Sequence, residues 1–125
     1  FAYVFKYSVR KKTKASNLTD DVPVAIKETR HKTLLDLCNK TAQQKNSLFI
    51  NKQLDILVEK IYNEHNETKL FGKTDDNRPV TCILKQPVTE NLVGKLIKIK
   101  ITEAKVHSLL GTLDLLDSRS VPLRE

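Results

Sequence analysis

The hydrophobic pattern of the chain changes from a helical period to a strand-like period near residue 51. Between Val22 and Asn46, apolar side chains recur at spacings of three and four, which predicts one long amphipathic helix. Asp20 or Asp21 suits the N-cap of this helix, and Pro23 suits its first turn. Beyond residue 51, apolar and polar positions alternate in short runs, which indicates β-strands.

Five such runs follow one another, and together they predict a small barrel. The runs are QLDILVEKI, TKLFGKT, RPVTCIL, GKLIKIKIT and HSLLGTLD. They are too few and too short for two full sheets, whereas a closed or nearly closed barrel buries their single apolar faces and leaves few edges exposed. Gly72, Gly94 and Gly111 fall in or beside strands, where small barrels need bends or bulges. The expected fold class is therefore mainly β with one long helix (α+β).

The first nine residues, FAYVFKYSV, alternate in the same strand-like way and are rich in aromatic side chains. A lone strand needs hydrogen-bonded neighbours, and no partner run follows it directly. We therefore expect its sheet to lie upstream, so that the start of the chain is a cut edge.

Composition favours a polyanionic partner. The chain carries 22 Lys and Arg against 15 Asp and Glu, a net charge of +7, and most of the excess lies in residues 1–50. Its two cysteines, Cys38 and Cys82, are far apart and are expected to be reduced thiols. With three scattered histidines they form no recognisable metal set. No apolar run approaches the roughly 18 residues of a membrane span, so no membrane partner is expected.

The stretch FGKTDDNRPV, residues 71–80, lies where a hairpin turn is expected, yet it lacks the usual Asn-Gly or Asp-Gly. Lys and Arg can neutralise phosphates, and an arginine fork can also stack on a base. Asn77 can pair with a base edge or hold the turn in a left-handed conformation. Asp75 and Asp76 would repel phosphates, so we expect them to point away or to cap the turn.

Further cations accompany the last two runs, where an RNA track and an ordinary solvated strand face are both open. The candidate RNA-binding residues are Lys73, Thr74, Asn77, Arg78, Lys95, Lys98, Lys100, Lys105 and His107. Phe49, Tyr62 and Phe71 are expected to serve as core or packing residues, which argues against a base-stacking surface.

Three motifs, in order along the chain, resemble the TRAM domain and its flanking segments in MiaB-type tRNA methylthiotransferases. The residues that carry the TRAM motifs are Gly72, Lys73, Thr74, Asn77, Arg78 and Val80, then Gly94, Lys95, Ile99, Ile101, Thr102, Glu103, Ala104, Ser108, Leu109 and Gly111. The stretch FKYSVRKKTKA resembles the family's segment that closes its radical-SAM barrel, although Lys12 stands where the family usually has glycine. The stretch DDVPVAIKETRHKTLLDL resembles the family's connecting helix.

The resemblance implies a division of the chain into four segments. Residues 1–15 would be the terminal strand of an incomplete radical-SAM barrel, and residues 16–48 the connecting helix. Residues 49–113 would be a TRAM RNA-binding barrel of OB-like form, and residues 114–125 a flexible tail.

The resemblance also implies a function for the parent protein. The family's parent enzymes use two 4Fe-4S clusters and S-adenosylmethionine to add a 2-methylthio group to N6-isopentenyladenosine at position 37, beside the anticodon. In the family each cluster is held by three cysteines, and neither set of three is present here. This stretch is therefore expected to bind no cofactor and to be non-catalytic alone. Its expected partners are the anticodon stem-loop of tRNA and the rest of the parent chain, in a cytoplasmic monomer. The alternatives are the threonylcarbamoyladenosine or ribosomal-protein branch of the family, or a free-standing RNA-binding protein.

Overall fold

A computed structural model describes residues 2–85, 88 and 91–113 of the chain. The first elements of this part of the chain are a short 3-10 helix (Lys14–Asn17) and the helix α1 (Val24–Ser47). Five strands follow: β1 (Gln53–Glu64), β2 (Glu67–Lys73), β3 (Pro79–Leu84), β4 (Leu96–Ala104) and β5 (Leu109–Leu113). The chain divides into two compact units, Phe1–Thr41 and Ala42–Glu125. The predicted tail, residues 114–125, lies outside the described residues.

The first unit differs from the expectation for its opening residues. Residues 2–10 form no strand, and the five described strands offer them no free edge because they pair with one another around a closed barrel. The side chain of Tyr3 is 77% exposed and that of Phe5 is 82% exposed, so the alternation buries no aromatic face here. Lys12, which replaces the family's glycine, has a φ of 68°. The turn therefore keeps a glycine-like left-handed backbone at some cost in strain.

The long helix is confirmed within two residues at its start and one at its end. Its first carbonyl acceptor is Pro23, which accepts from the amides of Ile26 and Lys27 at 3.0 and 3.1 Å. Neither Asp20 nor Asp21 lies next to the first helical residue, Val24. Asp20 instead accepts a charged hydrogen bond from the Lys27 ammonium at 2.6 Å.

The apolar stripe of the helix is only partly used. Leu34 is 50% exposed and Leu37 is 58% exposed, whereas the buried positions, Ala42 and Asn46, lie near the carboxyl end. The helical period therefore predicted that a helix forms here, but it did not predict which side chains of the helix are buried.

The five strands close into one barrel in the order β1-β2-β3-β5-β4, which confirms the predicted fold class. All neighbouring pairs are antiparallel except β3 and β5, which run parallel. The core is aliphatic apart from one thiol. Its fully buried large side chains are Ile56, Val58, Leu70, Val80, Cys82, Ile99, Ile101 and Leu109.

Two glycines let the barrel turn at its bulges. The β1–β2 register shifts between Val58 and Lys60, beside Gly72, and the β4–β5 register shifts between Ile101 and Glu103, beside Gly111. A Cβ added at Gly72 would lie 2.3 Å from the carbonyl oxygen of Leu57. A Cβ atom cannot lie that close to an oxygen, so β1 and β2 can approach each other at this bulge only because residue 72 is glycine.

Candidate nucleic-acid interface

The loop between β2 and β3, residues 74–78, is folded on itself by its own backbone. The Thr74 amide donates to the Arg78 carbonyl at 3.1 Å, and the Asn77 amide donates to the Thr74 carbonyl at 3.0 Å. Asn77 has a φ of 64° and an exposed side chain. Its left-handed backbone supports the turn-holding role, and its exposed amide leaves the base-contacting role open as well.

The Thr74 hydroxyl stabilises this loop through two hydrogen bonds. It donates to the Asp76 carboxylate and accepts from the Arg78 amide at 2.9 Å, and the residue is 9% exposed. The Thr74 hydroxyl, followed by the Arg78 guanidinium, holds the pKa of Asp76 below its usual range. Asp76 therefore pairs with the side chains of Thr74 and Arg78 within the loop, and the expectation that the two aspartates point away or cap the turn stays a prediction. The RNA contact of Thr74 stays a prediction, and its contacts within the chain give it a structural role.

Arg78 connects the loop to the end of the helix. Its Nε donates to Asp76 Oδ2 at 2.7 Å, and its Nη1 donates to Asn46 Oδ1. The guanidinium carbon lies 4.8 Å from the centroid of the Phe49 ring, within cation–π range. Its contact with RNA also stays a prediction. The guanidinium still has N–H groups beyond these two bonds with which it could meet a phosphate.

Asn46 joins this loop to a second one. Its Nδ2 donates to the carbonyls of Lys105 and Val106 at 2.8 and 3.0 Å, and the residue is 6% exposed. Lys105 and Val106 belong to the turn between β4 and β5, residues 105–108. The buried amide therefore holds the β2–β3 loop and the β4–β5 turn, here called the helix-end loops, at one end of the barrel. We refer to the contacts between Asn46, Arg78 and the two carbonyls as the Asn46 clamp.

The sequence of the barrel and of the helix-end loops matches a known domain family. Residues 48–113, just over half of the chain, match the TRAM domain family. The chain belongs to the TRAM-domain family. The resemblance drawn from the sequence motifs is thereby confirmed.

Three relatives that share one name extend the likeness beyond the TRAM barrel. The chain is 39% identical over 112 residues to a tRNA-2-methylthio-N(6)-dimethylallyladenosine synthase of Opitutus terrae, covering 90% of this chain and 22% of that protein. It is 37% identical over 112 residues to a synthase of that name from Bacillus mycoides, covering 90% and 21%. A third, from Clostridium novyi, is 36% identical over 115 residues, covering 90% and 24%. The chain thus spans about a fifth of the length of these relatives, in their carboxy-terminal region.

The predicted lysines of the TRAM barrel differ in whether a carboxylate neutralises them. Lys73 Nζ lies 3.5 Å from Glu59, and Lys98 Nζ lies 2.8 Å from Asp55. Lys100 and Lys105 are exposed, and neither has an ion-pair partner among the described residues. These two amines are therefore the readiest of the four to meet a phosphate.

The structure groups only part of the predicted set. Lys73, Arg78, Lys105 and His107 lie in or beside the helix-end loops, whereas Lys98 and Lys100 lie on the outer face of β4 below them. Lys95 precedes β4, so a strand of nine residues separates it from the β4–β5 turn. That length is about 30 Å, which separates Lys95 from Lys105 and His107. Its neighbour Leu96, however, shares the β1 partner Leu57 with Lys73, two strand spacings or about 10 Å away, so Lys95 lies near the start of the β2–β3 loop.

Two expectations about aromatic residues meet different outcomes. Phe49 packs against the core as expected, whereas Tyr62 and Phe71 belong neither to the core nor to the residues packed on it. Both rings lie on the outer side of the TRAM barrel and are partly exposed. The two rings are therefore not core residues, and whether they serve as packing residues or as base platforms stays a prediction. On β1 the reason for the outward ring is the bulge after Val58, which reverses the faces that the alternation predicts.

The chain does not fit an iron–sulfur cluster. A 4Fe-4S cluster needs three or four cysteine ligands, and this chain has two cysteines. Cys82 is fully buried in the barrel core, where desolvation raises the pKa of its thiol to about 11. Within residues 2–85, 88 and 91–113, no group of three or more His, Cys, Asp or Glu could hold a metal ion. The helices of this part of the chain include none long and apolar enough to cross a bilayer.

Proposed function

We propose that this chain is the tRNA-binding portion of a tRNA methylthiotransferase. The full-length protein would add a 2-methylthio group to N6-isopentenyladenosine at position 37, next to the anticodon. The names of the relatives, which specify dimethylallyladenosine, favour this branch over the threonylcarbamoyl and ribosomal-protein branches. Its clusters and S-adenosylmethionine would be held outside this stretch. The proposed setting is a cytoplasmic monomer.

The observation that carries the proposal is a pair of amines, Lys100 and Lys105, that no carboxylate of the described residues neutralises, on a TRAM barrel whose helix-end loops are held together by hydrogen bonds. Lysine amines release counterions when they meet RNA phosphates, and this supplies much of the affinity. Loops that are already fixed lose little conformational entropy on binding. The Asn46 clamp therefore supports a preformed RNA surface.

The test is the binding of a labelled anticodon stem-loop, measured by fluorescence anisotropy at several salt concentrations. The wild-type chain should bind, and the logarithm of its affinity should fall linearly with the logarithm of salt. The Lys100→Ala/Lys105→Ala variant should bind about tenfold more weakly in low salt, with a shallower salt dependence.

A matched control removes the same charge elsewhere. Lys32 and Lys40 are exposed on α1, outside the TRAM barrel, so Lys32→Ala/Lys40→Ala should change affinity much less. Equal losses in the two double variants would show that only net charge matters. An absence of salt-dependent binding by the wild-type chain would refute the RNA-binding function.

A further inference from the structure

Three side chains form a cation–aromatic surface on the outer side of β1 and β2. The Lys60 ammonium lies 5.2 Å from the centroid of the Tyr62 ring and 5.3 Å from that of the Phe71 ring. Lys60 pairs with Phe71 across the two strands, and Tyr62 follows two residues later on the same face. We call these three residues the aromatic face.

The rings of the aromatic face are not needed to fill the barrel. The core beneath them is closed by aliphatic side chains such as Ile56, Val58 and Leu70, each at most 1% exposed. Tyr62 and Phe71 are the only aromatic residues of the described barrel strands, and both keep part of their surface in water. Partly exposed rings beside a cation are the combination on which unpaired bases stack in barrels that bind single strands.

The positive charge of Lys60 on the aromatic face suits the phosphate backbone of RNA. Lys60 is exposed and has no carboxylate within ion-pair distance among the described residues. Its neighbour Lys69, by contrast, is neutralised by Glu64 at 2.7 Å. The Lys60 amine can therefore leave the rings for a phosphate without breaking an ion pair.

The aromatic face also continues into the helix-end loops. Phe71 and Lys73 are two residues apart on β2, so they point to the same side and lie about 7 Å apart along the strand. Lys73 is the last residue before the β2–β3 loop. A strand of RNA held at that loop would therefore reach the aromatic face within one or two nucleotides.

We infer that the aromatic face is a base-stacking site for an unpaired nucleotide of the same RNA strand that meets the helix-end loops. The inference rests on the proposed RNA-binding function. Stacking on either ring is tolerant of base identity, because every base has a π-face. The site would thus add affinity for single-stranded RNA rather than sequence selectivity.

The first test substitutes each ring by leucine, which keeps apolar bulk but removes the π-face. Tyr62→Leu and Phe71→Leu should each weaken binding of the anticodon stem-loop about tenfold, with an unchanged salt slope because no charge is lost. Ile83→Ala, on the outer side of β3 and 41% exposed, removes apolar surface without an aromatic ring and should bind like the wild type.

The second test reads stacking directly in a chain that keeps both rings. The protein has no tryptophan and three tyrosines, so Tyr3→Phe/Tyr7→Phe leaves Tyr62 as the only strong emitter. RNA should quench the Tyr62 emission in proportion to the bound fraction measured by anisotropy. This readout also decides the matter if either leucine variant fails to fold.

The outcomes separate this inference from the function on which it rests. If the wild type binds RNA and Lys100→Ala/Lys105→Ala weakens it, while the leucine variants bind normally or Tyr62 emission does not change, the aromatic face is refuted and the RNA-binding function stands. If the wild-type chain binds no RNA, both are refuted.

Discussion

At the scale of single residues, the face of β4 offers two lysines that differ in one contact. Lys98 and Lys100 point the same way, but within the part of the chain that the structure describes only Lys98 has a carboxylate partner, Asp55, at 2.8 Å. A phosphate must compete with Asp55 for the Lys98 amine, and exposed pairs of this kind contribute about 0.2–1 kcal/mol. We therefore expect Lys100→Ala to weaken RNA binding about two- to fivefold more than Lys98→Ala.

The same pair provides an internal control. Asp55→Asn frees the Lys98 amine, so this variant should bind RNA slightly more tightly than the wild type, and Lys98→Ala should cost more in its background. Anisotropy titrations at low and moderate salt measure the wild type and the four variants. Equal losses for the two alanine variants would contradict the idea that ion pairing ranks these lysines.

At the scale of elements, the Asn46 clamp joins a helix to two loops. Asn46→Ala leaves the Arg78 Nη1 and two backbone carbonyls without their partner, and an unsatisfied buried group costs about 1–3 kcal/mol. We expect Asn46→Ala to lower the free energy of unfolding by about 2 kcal/mol, measured by urea denaturation. RNA affinity should fall as well, because the helix-end loops then lose entropy on binding.

A double-mutant cycle isolates the clamp from general damage to the helix. Arg78→Lys keeps the charge but cannot make the fork to Asp76 and Asn46, so its cost and that of Asn46→Ala should be less than additive. Ser47→Ala, next to Asn46, removes only a hydroxyl bond back to the Gln43 carbonyl and should change stability little. Strict additivity of the first two substitutions would argue against a clamp.

These elements also show what the sequence could and could not predict. The strands were predictable because the period of two is local, as in Ile97, Ile99 and Ile101 on β4. The Asn46 clamp was not, because the chain separates Asn46 from Arg78 by 32 positions and neither residue type signals the other. The outward Tyr62 was missed because the bulge after Val58 leaves no mark in residue type.

At the scale of the whole chain, burial is concentrated in one unit. Every buried side chain of the described residues lies at or beyond Ala42, whereas residues 2–41 bury none. The barrel core therefore draws its apolar contacts from the second unit, Ala42–Glu125. The candidate RNA-binding residues lie in that unit too.

This concentration predicts that residues 42–125 fold without the first 41. Because the deleted unit contributes no buried side chain, the midpoint of thermal unfolding should stay within a few degrees of that of the full chain, measured by circular dichroism. Trypsin should cut the full chain first after lysines and arginines of residues 2–41 and leave a resistant barrel, because cleavage needs locally unfolded backbone. The shortened chain should also keep the Lys100 and Lys105 dependence of RNA binding. A chain of residues 42–125 that is unfolded at 25 °C would show that the first unit stabilises the barrel through more than buried side chains.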